Sequence, residues 1–153
     1  AQLKGEPMIV RTVRTFQNCD AISEIVIVTR PDLILPITEL TREMPKVKAV
    51  VSGGSSRQES VNLGLNALSA KVKLVAVHDG ARPLISSHII NKAVSVVKET
   101  GACVIGMPVK DTIKEVRGGV VTQTPDRSLL QAVQTPQVFD FHMLRGALKK
   151  VRS

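Results

Sequence analysis

The sequence predicts an α/β fold, an open and mostly parallel sheet with helices on both faces and a protruding β-arm. Three observations predict it. Four short runs, Glu24–Val28, Val47–Val51, Lys73–Val77 and Ala102–Met107, are rich in Val and Ile and nearly continuous in apolarity, as strands covered on both faces are. Amphipathic stretches alternate with them, and the order αβαβαβαβ implies right-handed crossovers. The chain has 153 residues, 43% of them hydrophobic, which suits one domain with a single core.

The elements follow in order. Met8–Phe16 is amphipathic, with Pro7 ahead of it at a favourable first helical position. Residues 32–43 are a weaker helix because Pro36 interrupts them. Gln58–Leu68 places Val61, Leu65 and Leu68 on one stripe. Ser87–Lys98 begins with a Ser able to cap it and turns Ile89, Ile90, Ala93 and Val97 inward. The pattern changes after Pro108. Val109–Arg127 is β-prone, poor in apolar mass and broken by Gly118–Gly119, which reads as a hairpin turning at the glycines. A lone hairpin is marginal, so this arm calls for a surface to pack on, such as a second subunit. Phe141–Val151 reads as a closing helix capped by Asp140.

Charge narrows the partners. Lys and Arg number 21 against 13 Asp and Glu, a formal +8, with a pI near 9.9. That favours anionic partners: nucleic acid, an acidic membrane surface or phosphorylated small molecules. Three Phe and no Trp or Tyr weaken single-strand nucleic-acid binding, which uses aromatic stacking. No apolar run approaches the roughly 20 residues of a membrane span. Cys19 and Cys103 are far apart and in no metal-binding spacing, so reduced, partly buried thiols are expected.

In an open α/β sheet, ligands sit beyond the carboxyl ends of the strands, and three segments follow strands there. Ser52-Gly53-Gly54-Ser55-Ser56-Arg57-Gln58-Glu59-Ser60 sets two glycines between a strand and a helix. Missing Cβ atoms let backbone N–H groups reach a ligand, and the helix start favours an anion, although the glycines taken alone fit a plain strand-to-helix turn better. It is neither a Walker A loop nor a dinucleotide fingerprint. His78-Asp79-Gly80-Ala81-Arg82-Pro83 follows a buried strand. A strand-end carboxylate suits Mg²⁺, which takes one or two carboxylates plus substrate phosphates; an ordinary Asp–Arg surface pair is the alternative. His78 reads as a structural residue. The third segment runs from Pro108 through Lys110, Asp111, Thr112 and Lys114 to Asp126-Arg127 and Gln134-Thr135-Pro136-Gln137. It combines hydroxyls and cations with a Pro-fixed turn, and composition alone makes it a solvated hairpin. No nucleophile–base pair or GxSxG elbow is present, so phosphate-centred transfer by positioning and charge neutralisation fits best.

GGSSRQESVNLGL at 53–65, VHDGARP at 77–83, PVKDTIKEV at 108–116 and QTPQVF at 134–139 together resemble the 2-C-methyl-D-erythritol 4-phosphate cytidylyltransferase family of the non-mevalonate isoprenoid pathway. The resemblance spans essentially the whole chain. It implies a Rossmann-like nucleotidyltransferase domain, CTP and a polyol phosphate as substrates, Mg²⁺ as cofactor and a cytoplasmic or plastid-stromal enzyme without nucleic-acid or membrane partners. Gly54 and Ser60 then resemble the cytosine-reading residues, with Gly53 beside them in the nucleotide-binding set. Asp79 resembles the Mg²⁺ ligand beside the triphosphate, with Gly80 close to the ribose. Arg82, Thr112, Arg127 and Thr135 resemble the polyol-phosphate site, with Asp79 and Arg127 as the catalytic pair. The 109–127 arm would cross to the neighbour of a homodimer and carry Thr112 and Arg127 to its active site. Gly80 stands where many members have Ala, a change expected to be harmless.

The resemblance also sets expectations at the ends and between rivals. Family members open with a strand and a glycine-rich loop bearing an Arg and a Lys, and continue beyond the closing helix with a substrate-contacting Thr and Lys. The chain joins that pattern at Gln2–Pro7 and ends at Ser153, so a domain incomplete at both ends is expected. Ribitol-5-phosphate cytidylyltransferase is the nearest rival, and the PVKDTIK and QTPQ pattern favours the erythritol enzyme. A non-catalytic basic nucleic-acid-binding domain is the rival from another class, suggested by charge alone.

Overall fold

A computed structural model describes residues 2–150. A short antiparallel pair, β1 (Gln2–Leu3) and β2 (Glu6–Pro7), leads into α1 (Met8–Gln17). β3 (Ile25–Thr29), α2 (Ile34–Thr41), β4 (Val47–Ser52), α3 (Arg57–Asn66) and β5 (Leu74–Val77) follow. Then come α4 (Ser87–Thr100), β6 (Ala102–Pro108), β7 (Glu115–Arg117), β8 (Val120–Gln123), β9 (Gln131–Asp140) and α5 (Phe141–Lys150). All four strands expected from their apolar runs form, each within a residue of its expected ends.

The pairing departs from a mostly parallel ladder. β3 and β4 pair in parallel, but β9 lies between β5 and β6 and runs antiparallel to both. β9 covers the segment read from sequence as a Pro-fixed turn. Its register against β6 jumps from Gln137 opposite Val104 to Gln134 opposite Ile105, leaving Thr135 and Pro136 unpaired there. Proline cannot donate to a ladder, so this irregularity is how a ten-residue strand accommodates Pro136.

The helices form where periodicity places them, with local corrections. Pro7 caps α1 instead of opening it. Ser86, not Ser87, caps α4, its side chain accepting from the Ile89 N–H. Pro36 falls in the first turn of α2, where an N–H has no helical partner to lose; a 3₁₀ turn at Pro31–Leu33 precedes it. Asp140 accepts from the Met143 N–H at 2.9 Å and starts α5 as expected; Val151, the expected last residue of that helix, lies outside the described residues. Gly118 and Gly119 both adopt positive φ, 56° and 80°, the left-handed geometry of a two-residue hairpin turn, and they join β7 to β8 antiparallel.

Three apolar clusters hold the layers together. Val13, Ile27 and Ile37 join α1, β3 and α2. Phe16, Cys19 and Ile90 join α1 to α4. Ala93, Val97 and Val138 pack α4 on β9. Both cysteines are free thiols, Cys19 buried and Cys103 half-buried. Among the described residues no helix is long and apolar enough to cross a membrane. Ile90 is fully buried and Val96 on the same helix is exposed. Ile90→Ala is therefore expected to lower the unfolding free energy by about 2–5 kcal/mol, and Val96→Ala by less than about 1 kcal/mol, in urea titrations. Equal losses would contradict this placement of the core.

Candidate functional site

The carboxyl ends of β3, β4 and β5 converge. The Gly53 N–H donates to the Thr29 carbonyl at 2.7 Å, tying the loop after β4 to the end of β3. The Gly54 N–H donates to Ser60 Oγ at 3.1 Å, so Gly53, Gly54 and Ser60 form one unit. A Cβ on Gly54 would lie 2.2 Å from Glu59 Cγ, so only glycine fits the loop as it stands. Glu59 shapes that loop by accepting from the Ser55 N–H and hydroxyl, each at 2.8 Å. Ser56 Oγ caps α3 by accepting from the Glu59 N–H.

Asp79 follows β5 and is the hub of the site. Its Oδ1 accepts from Arg57 Nη1 at 2.7 Å and its Oδ2 from Arg82 Nε at 3.0 Å. Its backbone N–H donates to Thr135 Oγ1 at 3.3 Å, which the irregularity in β9 makes available. Arg82 also donates to Gln134 and Arg57 approaches Gln137, so both guanidinium groups are braced on β9. The Thr12 hydroxyl of α1 lies 2.8 Å from the Gly80 carbonyl and fixes the turn from below. A Cβ at Gly80 would lie 2.8 Å from Ile9 Cδ1, a flexible side-chain end, so Ala there needs only a small shift of Ile9.

Charge follows geometry. Burial pushes the Asp79 carboxyl up, but the hydrogen bonds and charges of Arg57 and Arg82 outweigh it and leave its pKa below the ordinary carboxylate value. His78 is lowered for a different reason: desolvation depresses its pKa against weaker upward pulls from the Arg82 carbonyl and the Asp79 charge. Its Nε2 lies 3.0 Å from the Arg82 carbonyl oxygen. A carbonyl only accepts, which puts the proton on Nε2, while the buried Nδ1 has no partner among the described residues. The ring packs on Phe16, consistent with a structural role.

Two expected site residues stand apart. Arg127 lies in a 3₁₀ turn and donates to the Lys110 carbonyl at 3.1 Å. Among the described residues no hydrogen bond or ion pair joins Arg127 or Thr112 to the Asp79 cluster. Arg57, Gln134 and Gln137 belong to the cluster although the sequence places them in candidate segments without a role, and Thr12 belongs to it from outside those segments. Arg57 carries a legible signal, a cation at a helix start beside the glycines; Thr12, one Thr in an amphipathic helix, carries none.

A cavity of about 650 Å³ opens between β3 and β5, with Gly54, Arg57, Ser60, Asp79 and Gly80 among its lining. Among the described residues no group of three His, Cys, Asp or Glu side chains stands ready to hold a metal. Asp79, a carboxylate shared with Arg57 and Arg82, is the donor type that suits Mg²⁺, which takes the rest of its shell from phosphates and water.

Comparison with known proteins shows the family. The family profile of 2-C-methyl-D-erythritol 4-phosphate cytidylyltransferase matches residues 1–153. A protein of that name from Symbiobacterium thermophilum is 46% identical over 149 residues, covering 97% of this chain and 62% of its own length. One from Alkaliphilus oremlandii is 40% identical, over 95% of this chain and 64% of its own. The chain thus spans under two thirds of these relatives' length. A crystal structure from Anaerococcus prevotii, described as a 4-diphosphocytidyl-2C-methyl-D-erythritol synthase, superposes with a TM-score of 0.92 at 28% identity, covering 98% of this chain and 66% of that one. A cytidylyltransferase structure from Thermus thermophilus gives 0.81 at 30% identity, covering 99% and 69%.

The half-buried His78 makes stability pH-dependent. Its folded pKa is depressed, so the stability it contributes is present above about pH 6.5, the ordinary imidazole value, and is lost as pH falls through the folded value. Thermal melts of the native chain should therefore fall between about pH 7.5 and pH 5, and His78→Gln should flatten part of that slope. An unchanged slope would contradict the burial of neutral His78.

Proposed function

The chain belongs to the 2-C-methyl-D-erythritol 4-phosphate cytidylyltransferase family, and from that premise we propose that it transfers a cytidylyl group from CTP to 2-C-methyl-D-erythritol 4-phosphate, releasing pyrophosphate, in isoprenoid precursor synthesis. The observation that carries the reading is the cluster of Asp79, Arg57, Arg82 and Thr135 beside the Gly54–Ser60 loop. Two guanidinium groups there face one carboxylate at the carboxyl ends of the strands, with no nucleophile–base pair joined to them among the described residues. The attacking group is a phosphate monoester, largely dianionic near neutral pH because its second pKa is about 6. It needs no general base, only partners that hold two polyanions together.

In this reading Gly53, Gly54 and Ser60 receive the cytosine, and Gly80 packs by the ribose. Asp79 holds Mg²⁺, which neutralises charge on the triphosphate when bound. Arg82 and Thr135 take the polyol phosphate. Thr112 and Arg127 serve the neighbouring subunit of a homodimer, carried there by the 109–127 arm. Exposed Val116 and Val121, paired across β7 and β8, support that role, because a two-stranded ribbon with apolar side chains in the open gains from a covering surface. The β3–β4 and β5–β9–β6 ladders belong to one open, Rossmann-like sheet in this proposal, and a cytoplasmic setting fits the free thiols.

Pyrophosphate release from CTP, dependent on Mg²⁺ and methylerythritol phosphate, tests the reading. Faster turnover of ribitol 5-phosphate would transfer the assignment to that rival, and tight DNA binding without pyrophosphate release would favour the nucleic-acid one. Asp79→Asn should cut Mg²⁺-dependent turnover by at least about a hundredfold while leaving the urea midpoint nearly unchanged; equal losses of activity and stability would refute the metal role. Arg127→Ala should raise KM for the polyol phosphate about tenfold with CTP affinity preserved, and a collapse of CTP binding would overturn the arm assignment.

A further inference from the structure

We propose that Arg57 is a movable counter-ion. It occupies the Asp79 carboxylate in the ligand-free protein, then leaves it for the phosphates of the arriving nucleotide, so that metal and nucleotide bind together. The inference rests on the reading of Asp79 as the metal-binding carboxylate. Both of its oxygens are already taken, Oδ1 by Arg57 at 2.7 Å and Oδ2 by Arg82 at 3.0 Å. Mg²⁺ sits about 2.0–2.1 Å from a carboxylate oxygen, and although each oxygen keeps a second lone pair, a guanidinium at hydrogen-bond distance competes with the cation by crowding and by charge. Withdrawal of one arginine therefore favours the metal.

The geometry points to Arg57 as the one that moves. Arg82 is three residues from Asp79 in the same turn, is also braced by Gln134, and its side chain is the less exposed of the two. Arg57 reaches across from another element, its second contact to Gln137 stretches to 3.5 Å, and its side chain is 59% exposed. It also stands at the first position of α3. The positive end of the helix dipole disfavours a cation there and favours an anion. Asp79 supplies that anion in the free protein, and a phosphate of the nucleotide held beside Asp79 would supply it in the complex. The exchange leaves no charge unpartnered.

The test measures binding, not turnover. Mn²⁺ binding to the nucleotide-free chain is read from the free-ion EPR signal, and CTP binding without metal from equilibrium dialysis. Arg57→Gln should tighten Mn²⁺ about two- to fivefold, the range that removing one exposed ion pair allows, and weaken metal-free CTP by a similar factor. Arg57→Lys should return Mn²⁺ affinity toward the native value. Arg42→Gln, which removes an exposed cation paired with Glu39 and Glu43 at the end of α2, should move neither and sets the effect of net charge alone. Asp79→Asn should abolish Mn²⁺ binding. If it does, and Arg57→Gln leaves Mn²⁺ where Arg42→Gln does, the counter-ion role is overturned while the metal reading stands. If Mn²⁺ binding survives Asp79→Asn, the metal reading falls and the proposal with it. Circular dichroism melts confirm that each variant folds.

Discussion

Asp79 shares its carboxylate between two guanidinium groups from different parts of the chain, and the site is organised around that sharing. Arg57 brings in the loop and first turn after β4. Arg82 brings in the turn after β5. Thr135, Gln134 and Gln137 bring in β9. Three segments separated by up to 80 residues in sequence therefore meet on one small anion. Two cations on one carboxylate leave local positive charge, which is what a polyanionic ligand requires. The formal +8 of the chain acquires a local meaning here: these two arginines converge on one carboxylate, whereas pairs such as Arg30–Asp32 and Arg42–Glu39 are solvated surface of small energetic weight.

The scaffold holds that carboxylate still. β5 is short, and its carboxyl end opens directly into the His78–Arg82 turn. The turn is fixed by the Thr12–Gly80 contact, by the His78 ring on Phe16 and by the His78–Arg82 contact. Phe16 is also a member of the cluster that buries Cys19 and Ile90, so packing between α1 and α4 reaches the site through one aromatic ring. β9 then contributes twice. Its Val138 anchors the α4 cluster, and its unpaired Thr135 and Pro136 release a hydroxyl toward Asp79.

How far the sequence discloses this depends on the physical signal available. Buried strands read clearly because Ile27 and its neighbours form unbroken apolar runs, and α4 reads clearly because Ile90, Ala93 and Val97 recur at helical spacing. β9 does not, because Gln131, Gln134 and Gln137 dilute its apolarity and Pro136 argues against an interior strand; the irregular register that rescues it is a tertiary feature. The antiparallel sheet escapes a reading of the sequence for the same reason. At the site, the Gly54 loop and Asp79 are legible as motif residues. The partnership of Arg57 with Asp79 is not, since 22 residues separate them and only the crossover through α3 and β5 brings them together. Arg127 and Thr112 carry a family expectation, and among the described residues no hydrogen bond or ion pair brings them to Asp79.

The central claim is that Asp79 is an ionised carboxylate held by two arginines and available for exchange with a ligand. Titration of its side-chain carboxyl by ¹³C NMR tests this most directly, with Arg57→Gln alongside. The account predicts a pKa below the ordinary value of about 3.9 in the native chain, moving upward in the variant, and a change in chemical shift when Mg²⁺ and CTP are added together. A native pKa at or above the ordinary value, or a resonance that ignores both the substitution and the ligands, would contradict it.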